Sequence, residues 1–210
     1  MMRNLSALGD TALLAPASLA LLLYLLAIRR WVEARAFLAA LALGLGTTLL
    51  SKLLLRACGG AIDLVDLNSP SGHASFATLF YGSLAMMLGW GRSRGTAILL
   101  GAATTLLLLA VGASRPLQGA HSWEEVVVGW AIGIGGLAVF WTLRRRAEHP
   151  PLSAVPVVFG LALALLLLGG RHFTPEHYIA RIARAASSSL DICRTPAVTE
   201  LKPGPPTMLR

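Results

Sequence analysis

Charge is scarce in this sequence. Only 13% of the 210 residues are Asp, Glu, Lys or Arg, and 55% are hydrophobic. A water-soluble domain of this length must present a largely polar surface, so the scarcity excludes an ordinary soluble globule. The mean hydropathy of +0.67 points to lipid as the surrounding solvent. Cysteine is scarcer still: Cys58 and Cys193 lie far apart, form no C-x-x-C pair and allow at most one disulfide, so a disulfide framework is excluded. No cluster of carboxylates of the kind that holds Mg²⁺ is visible, and neither a metal nor another cofactor is expected. The net charge is +8, yet the basic residues are not interleaved with aromatics as on a nucleic-acid-binding face. They stand in short segments beside apolar runs, the pattern of membrane topology.

Long apolar runs are what the sequence has in abundance. Six stand out, at 12–28, 36–55, 74–90, 95–113, 126–143 and 152–170. Each is about 17 to 20 residues, enough for a helix to cross a hydrocarbon core. Leu and Ala dominate them, without the polar alternation of barrel strands. The expected fold class is therefore all-α: a polytopic membrane helix bundle of about six transmembrane helices. It forms one domain over 1–170, followed by a tail over 171–210. Within the tail, 175–190 reads as a short amphipathic helix, and the Pro-rich end reads as disordered.

The connections alternate in charge. The first, third and fifth loops carry Arg29, Arg30 and Arg35, then Arg92 and Arg94, then Arg144, Arg145 and Arg146. The other side holds only Arg3, Lys52, Arg56 and Arg115 among the spans and loops. Positive loops stay in the cytoplasm, so the second and fourth loops are expected to face outward. Trp31, Trp90, Trp123 and Trp141 fall near span ends and read as interfacial anchors, while Gly129 and Gly133 form a G-x-x-x-G that predicts close helix packing.

Three polar groups gather at the two outward loops. Lys52 and Arg56 share a helix face at the end of the second run, two like charges that an anion between them would reconcile. Ser71 is placed to cap a helix starting near Gly72, whose first N–H groups then point outward, as phosphate requires. His73 follows in the first turn, where it can protonate a leaving oxygen. Ser114 and Arg115 close the fourth run, and His121 and Glu125 stand four apart ahead of the fifth. A carboxylate on one imidazole nitrogen fixes the tautomer and leaves the other nitrogen free to attack. Ser122 and Glu125 also have the spacing of a capping box. Cations, an anion cradle and two histidines on different loops form the set that phosphoryl transfer needs.

These residues resemble the type 2 phosphatidic acid phosphatase superfamily, whose pattern is K-x6-R-P, then P-S-G-H, then S-R-x5-H-x3-D. Pro70-Ser71-Gly72-His73 matches the middle block. Ser114-Arg115, His121 and Glu125 match the last, with Glu in place of Asp. Lys52 opens the first block, but Gly59-Gly60 stands where that pattern has Arg-Pro. The resemblance implies that His121 is a nucleophile forming a phosphohistidine, that Glu125 orients it, and that His73 is the acid. It further implies that Lys52, Ser71, Gly72, Ser114 and Arg115 hold the phosphate, with Arg56 substituting for the absent arginine. The expected activity is hydrolysis of a lipid phosphate or diphosphate at the outer face of a bacterial inner membrane, with membrane lipids as surroundings. The missing Arg-Pro leaves an alternative, a protein that grips an anionic headgroup without cleaving it.

Overall fold

A computed structural model describes residues 2–57, 69–145, 150–168 and 181–182. Seven helices and no strands occur among the described residues: α1 (Met2–Ala7), α2 (Thr11–Ala27), α3 (Trp31–Ala57), α4 (Gly72–Gly89), α5 (Arg94–Leu117), α6 (Trp123–Arg144) and α7 (Ala154–Leu168). Helices α2 to α7 follow the six apolar runs in order, and the expected all-α bundle is the fold. The short α1 was not anticipated. Stretches Trp31–Leu55, Arg94–Leu117 and Trp123–Arg144 are long and apolar enough to cross a membrane, and Thr11–Ala27 and Ala154–Leu167 are shorter apolar helices. These helices mark a membrane protein. The tail segment 175–190 lies outside the described residues except at 181–182, as do Cys58, Asp63, Asp66 and Cys193.

Helix α4 is the axis of the bundle. Every residue from Ala74 to Leu84 is buried, on all faces of the helix, as expected of a core helix and not of a lipid-facing one. Phe37 of α3 meets Phe80 of α4 edge-on, with ring centroids 6.5 Å apart. Helix α6 approaches α4 through glycines. A Cβ on Gly133 would fall 2.5 Å from Thr78 Cβ, and one on Gly129 would fall 2.6 Å from the Ser71 carbonyl oxygen. The G-x-x-x-G is thus a packing seam, as its spacing predicts. By contrast, α5 and α7 turn Ile98, Leu99 and Leu106, and Val155, Phe159 and Leu166, outward. Water would penalise that apolar surface, and lipid does not.

At the end of the bundle where α2 leads into α3, Arg144 and Glu33 are fully buried and Arg30 nearly so. Glu33 Oε1 lies 3.6 Å from Arg30 Nη1 and 3.7 Å from Arg144 Nη2. The Arg144 guanidinium also stands 4.4 Å over the Trp90 ring, which packs edge-on against Trp141. Trp90 is therefore a cation–π platform, while Trp31, Trp123 and Trp141 remain exposed. Arg30 and Arg144, expected in cytoplasmic loops, face inward because one acidic side chain on the first turn of α3 draws both. Removing that carboxylate strands two buried cations. Glu33→Ala is expected to lower stability by about 3–5 kcal/mol, read as an earlier unfolding transition in detergent micelles.

Candidate functional site

The opposite end of the bundle carries the described residues that the sequence pattern assigns to phosphate chemistry. Two helix starts and one helix end build it. Ser71 caps α4, with its hydroxyl accepting from Ala74 N at 3.4 Å. Ser122 caps α6 and forms the expected capping box with Glu125. Arg115 stands in the last turn of α5, ahead of Pro116, where the helix ends. Helix α3 brings Lys52, which is 4% exposed. Its ammonium does not snorkel outward but lies against Gly72, 3.8 Å from where a Cβ would stand.

Glu125 joins the two loops. Its Oε2 accepts from His121 Nδ1 at 2.5 Å, and its Oε1 accepts from the backbone N–H of Ser69 at 2.6 Å. Its backbone carbonyl accepts from Ser71 N at 2.9 Å. The capping box explains the reach. A carboxylate at the third helical position folds back past the cap, and His121 is the residue just before that cap. Contact with His121 is thereby made although α6 begins only at Trp123. Because an ionised carboxylate only accepts, the Nδ1 proton is fixed and Nε2 is left as the basic nitrogen.

The two imidazoles share one electrostatic neighbourhood. His73, just ahead of the apolar run that begins at Ala74, has its pKa lowered to about 4. Burial is the largest cause, followed by Arg115; Asp10 opposes them, and His121 and Lys52 add to the lowering. His121 in its turn is also lowered, first by burial, against the raising influence of Glu125, with Lys52 and Arg115 contributing. Both shifts favour neutral rings near pH 7, among cations that favour an anion between them. Ser114 is fully buried, and its hydroxyl donates to the Val111 carbonyl at 2.6 Å, within the last turns of α5. The Arg56 side chain and the Gly59-Gly60 pair lie outside the described residues.

Sequence reasoning missed the contribution of the N-terminal segment. Arg115 Nη1 donates to Ser6 Oγ at 2.7 Å. Asp10 caps α2 through Oδ1, while Oδ2 stands 3.9 Å from His73 Nε2. Polar residues just ahead of a first span carry no motif, and only their buried state reveals them. One position on the seam governs both loops: Gly129 passes so close to the Ser71 carbonyl that any side chain must push the α4 start away. Gly129→Ala is expected to cost about 1–3 kcal/mol and to disturb the Ser69–Glu125 contact, seen as faster amide exchange at Ser69 and Ser71.

Comparison with known proteins agrees with this geometry. Residues 52–149 match the PAP2 superfamily. The chain is 28% identical over 169 residues to the uncharacterized 22.5 kDa protein in the cps region of Klebsiella pneumoniae, covering 78% of each chain. No solved structure matches it. The matched stretch runs from Lys52 through both histidines and Arg115 to beyond Glu125, and on that span the chain is similar to the PAP2 superfamily, a family of phosphatases.

Proposed function

We propose that the protein hydrolyses a lipid phosphate or diphosphate through a phosphohistidine, without a metal ion, at the outer face of the membrane. The Glu125–His121 contact carries this reading. With its Nδ1 proton committed to a carboxylate, His121 keeps an Nε2 lone pair directed to electrophiles. In the first step Nε2 attacks phosphorus and the bond to the leaving oxygen breaks, that oxygen taking a proton from His73. In the second, water attacks the phosphohistidine, gives its proton to His73 and releases phosphate with His121 restored. Lys52, Arg115 and the N-terminal amides of α4 answer the negative charge spread over the equatorial oxygens. Ser71, Gly72 and Ser114 shape that cradle, and Arg56 on the last turn of α3 stands in for the absent arginine.

His73 must be protonated to act as the acid, which burial and the neighbouring cations disfavour. A bound phosphate dianion offsets that lowering, so the substrate raises the acid it needs. The lipid part of the substrate is supported by an apolar cavity of about 570 Å³ between α4, α5 and α6, which includes Thr78, further along α4 from His73. An outward site is supported by the arginine-rich loops at the other end, and a Leu- and Ala-rich chain with short loops suits a bacterial inner membrane. Gly59-Gly60 in place of Arg-Pro favours the second reading, a headgroup-binding protein.

A phosphate-release screen across phosphatidic acid, phosphatidylglycerol phosphate and polyprenyl diphosphate in detergent separates the two. The wild type is expected to release phosphate, and His121→Ala is expected to fall to background. Equal turnover by both proteins would reject His121 as nucleophile, and binding without release by either would favour the headgroup binder. The pH dependence carries a sign. His121 is active when neutral, and its pKa lies below the ordinary 6.5. The acid-side half-loss of kcat/KM is therefore expected below pH 6.5, since neutral imidazole is lost only as pH falls through the lowered value.

A further inference from the structure

The N-terminal turn lies directly on His73. A Cβ on Gly9 would stand 3.3 Å from His73 Cβ and 2.7 Å from Val111 Cγ1, so the chain passes here at a distance that a larger residue would widen. The turn is tied down on both sides. Tyr81 of α4 donates its hydroxyl proton to the Leu8 carbonyl at 2.9 Å, and Arg115 of α5 holds Ser6. Asp10 closes this turn with a buried carboxylate. One oxygen caps α2 at 2.9 Å from Ala12 N, and the other stands 3.9 Å from His73 Nε2. Capping alone does not call for a charge: Ser or Asn satisfies the same amide without the cost of burying an anion. The charge has a second use beside the imidazole.

Among the described residues, the other groups that bear on His73 are cations, the imidazole of His121 and a carboxylate engaged elsewhere. Lys52 comes from α3, Arg115 from the end of α5, and His121 from the turn before α6. Glu125, at the start of α6, is occupied by His121 and Ser69. Resting on the phosphatase reading above, we propose that Asp10 is a positioning residue for the general acid, orienting His73 and holding its proton within reach when the phosphate is bound. Asp10 acts through His73 and does not itself touch the substrate. A proton passes from His73 to the leaving oxygen and returns from water, and the 3.9 Å ion pair draws closer whenever the ring is charged.

Asp10→Asn separates charge from capping, because Asn caps a helix as well as Asp does. Two readouts apply to the full chain in detergent micelles. Histidine-labelled NMR, with His73→Gln identifying the signal, gives the titration midpoint of His73. The pH profile of kcat gives its catalytic counterpart. In Asp10→Asn the midpoint is expected to move to lower pH, with the thermal transition unchanged. The basic limb of kcat is expected to follow it, and kcat at neutral pH to fall on the order of tenfold with little change in KM. Asp10→Glu is expected to recover part of both. A His73 midpoint and kcat limb identical to the wild type would overturn the assignment, as would a loss of stability with an unmoved midpoint. Should the wild type release no phosphate at all, the phosphatase reading fails by itself, and the NMR midpoint still decides the pairing of Asp10 with His73.

Discussion

One carboxylate holds the site together. Glu125 takes the imidazole of His121 on one oxygen and the Ser69 amide on the other, and its backbone takes Ser71. Without the carboxylate, the start of α4 and the start of α6 would keep the Ser71–Glu125 backbone bond but lose the ties to Ser69 and His121. Charge-assisted hydrogen bonds are stronger and more directional than neutral ones, so they fix two helix starts at one distance. Glu in place of the Asp of the family pattern is suited to this double duty. The longer arm folds back over the cap and still spans both loops.

The helix seam supports that contact from below. Gly129 and Gly133 let α6 run against α4 nearly backbone to backbone, and Gly136 continues the stripe toward Leu79 and Ala40. Larger residues would widen the gap and carry Glu125 away from Ser69. Deeper in the bundle, Thr48 of α3 shares a 2.8 Å hydrogen bond with Ser75 of α4. That link, in an apolar bundle, keeps Lys52 in register with Gly72 one turn above. At the far end Glu33 gathers Arg30 and Arg144, so a charged tie closes each end of an otherwise apolar core.

Much of this was legible in the residues. Six apolar runs gave the helices, because a Leu-rich run of this length has no other stable form in lipid. Ser71 and Ser122 announced their caps through local spacing, and the His121–Glu125 separation announced a contact. What stayed hidden depended on distant parts of the chain. Arg144 read as one of three loop arginines, since nothing near it in sequence reveals the carboxylate of Glu33. Asp10 drew no reading at all, since its second partner is sixty-three positions away. Trp90 looked like Trp31, Trp123 and Trp141, since nothing in sequence places Arg144 above it. Local chemistry is written locally, whereas long-range pairs of single charges leave no periodic trace.

Ser6 and Asp10 on one side and Glu125 on the other mean that the cluster draws on nearly the whole span from the start of the chain to the fifth apolar run. A ribosome delivers these pieces in order. Asp10 and Ser6 are laid down first and wait beside a cradle that does not yet exist. Lys52 and His73 arrive next, then Arg115, and the group that ties the loops comes last. No nascent fragment that ends before α6 contains the whole cluster, so the imidazole of His121 is oriented by Glu125 only once the start of α6 has been made.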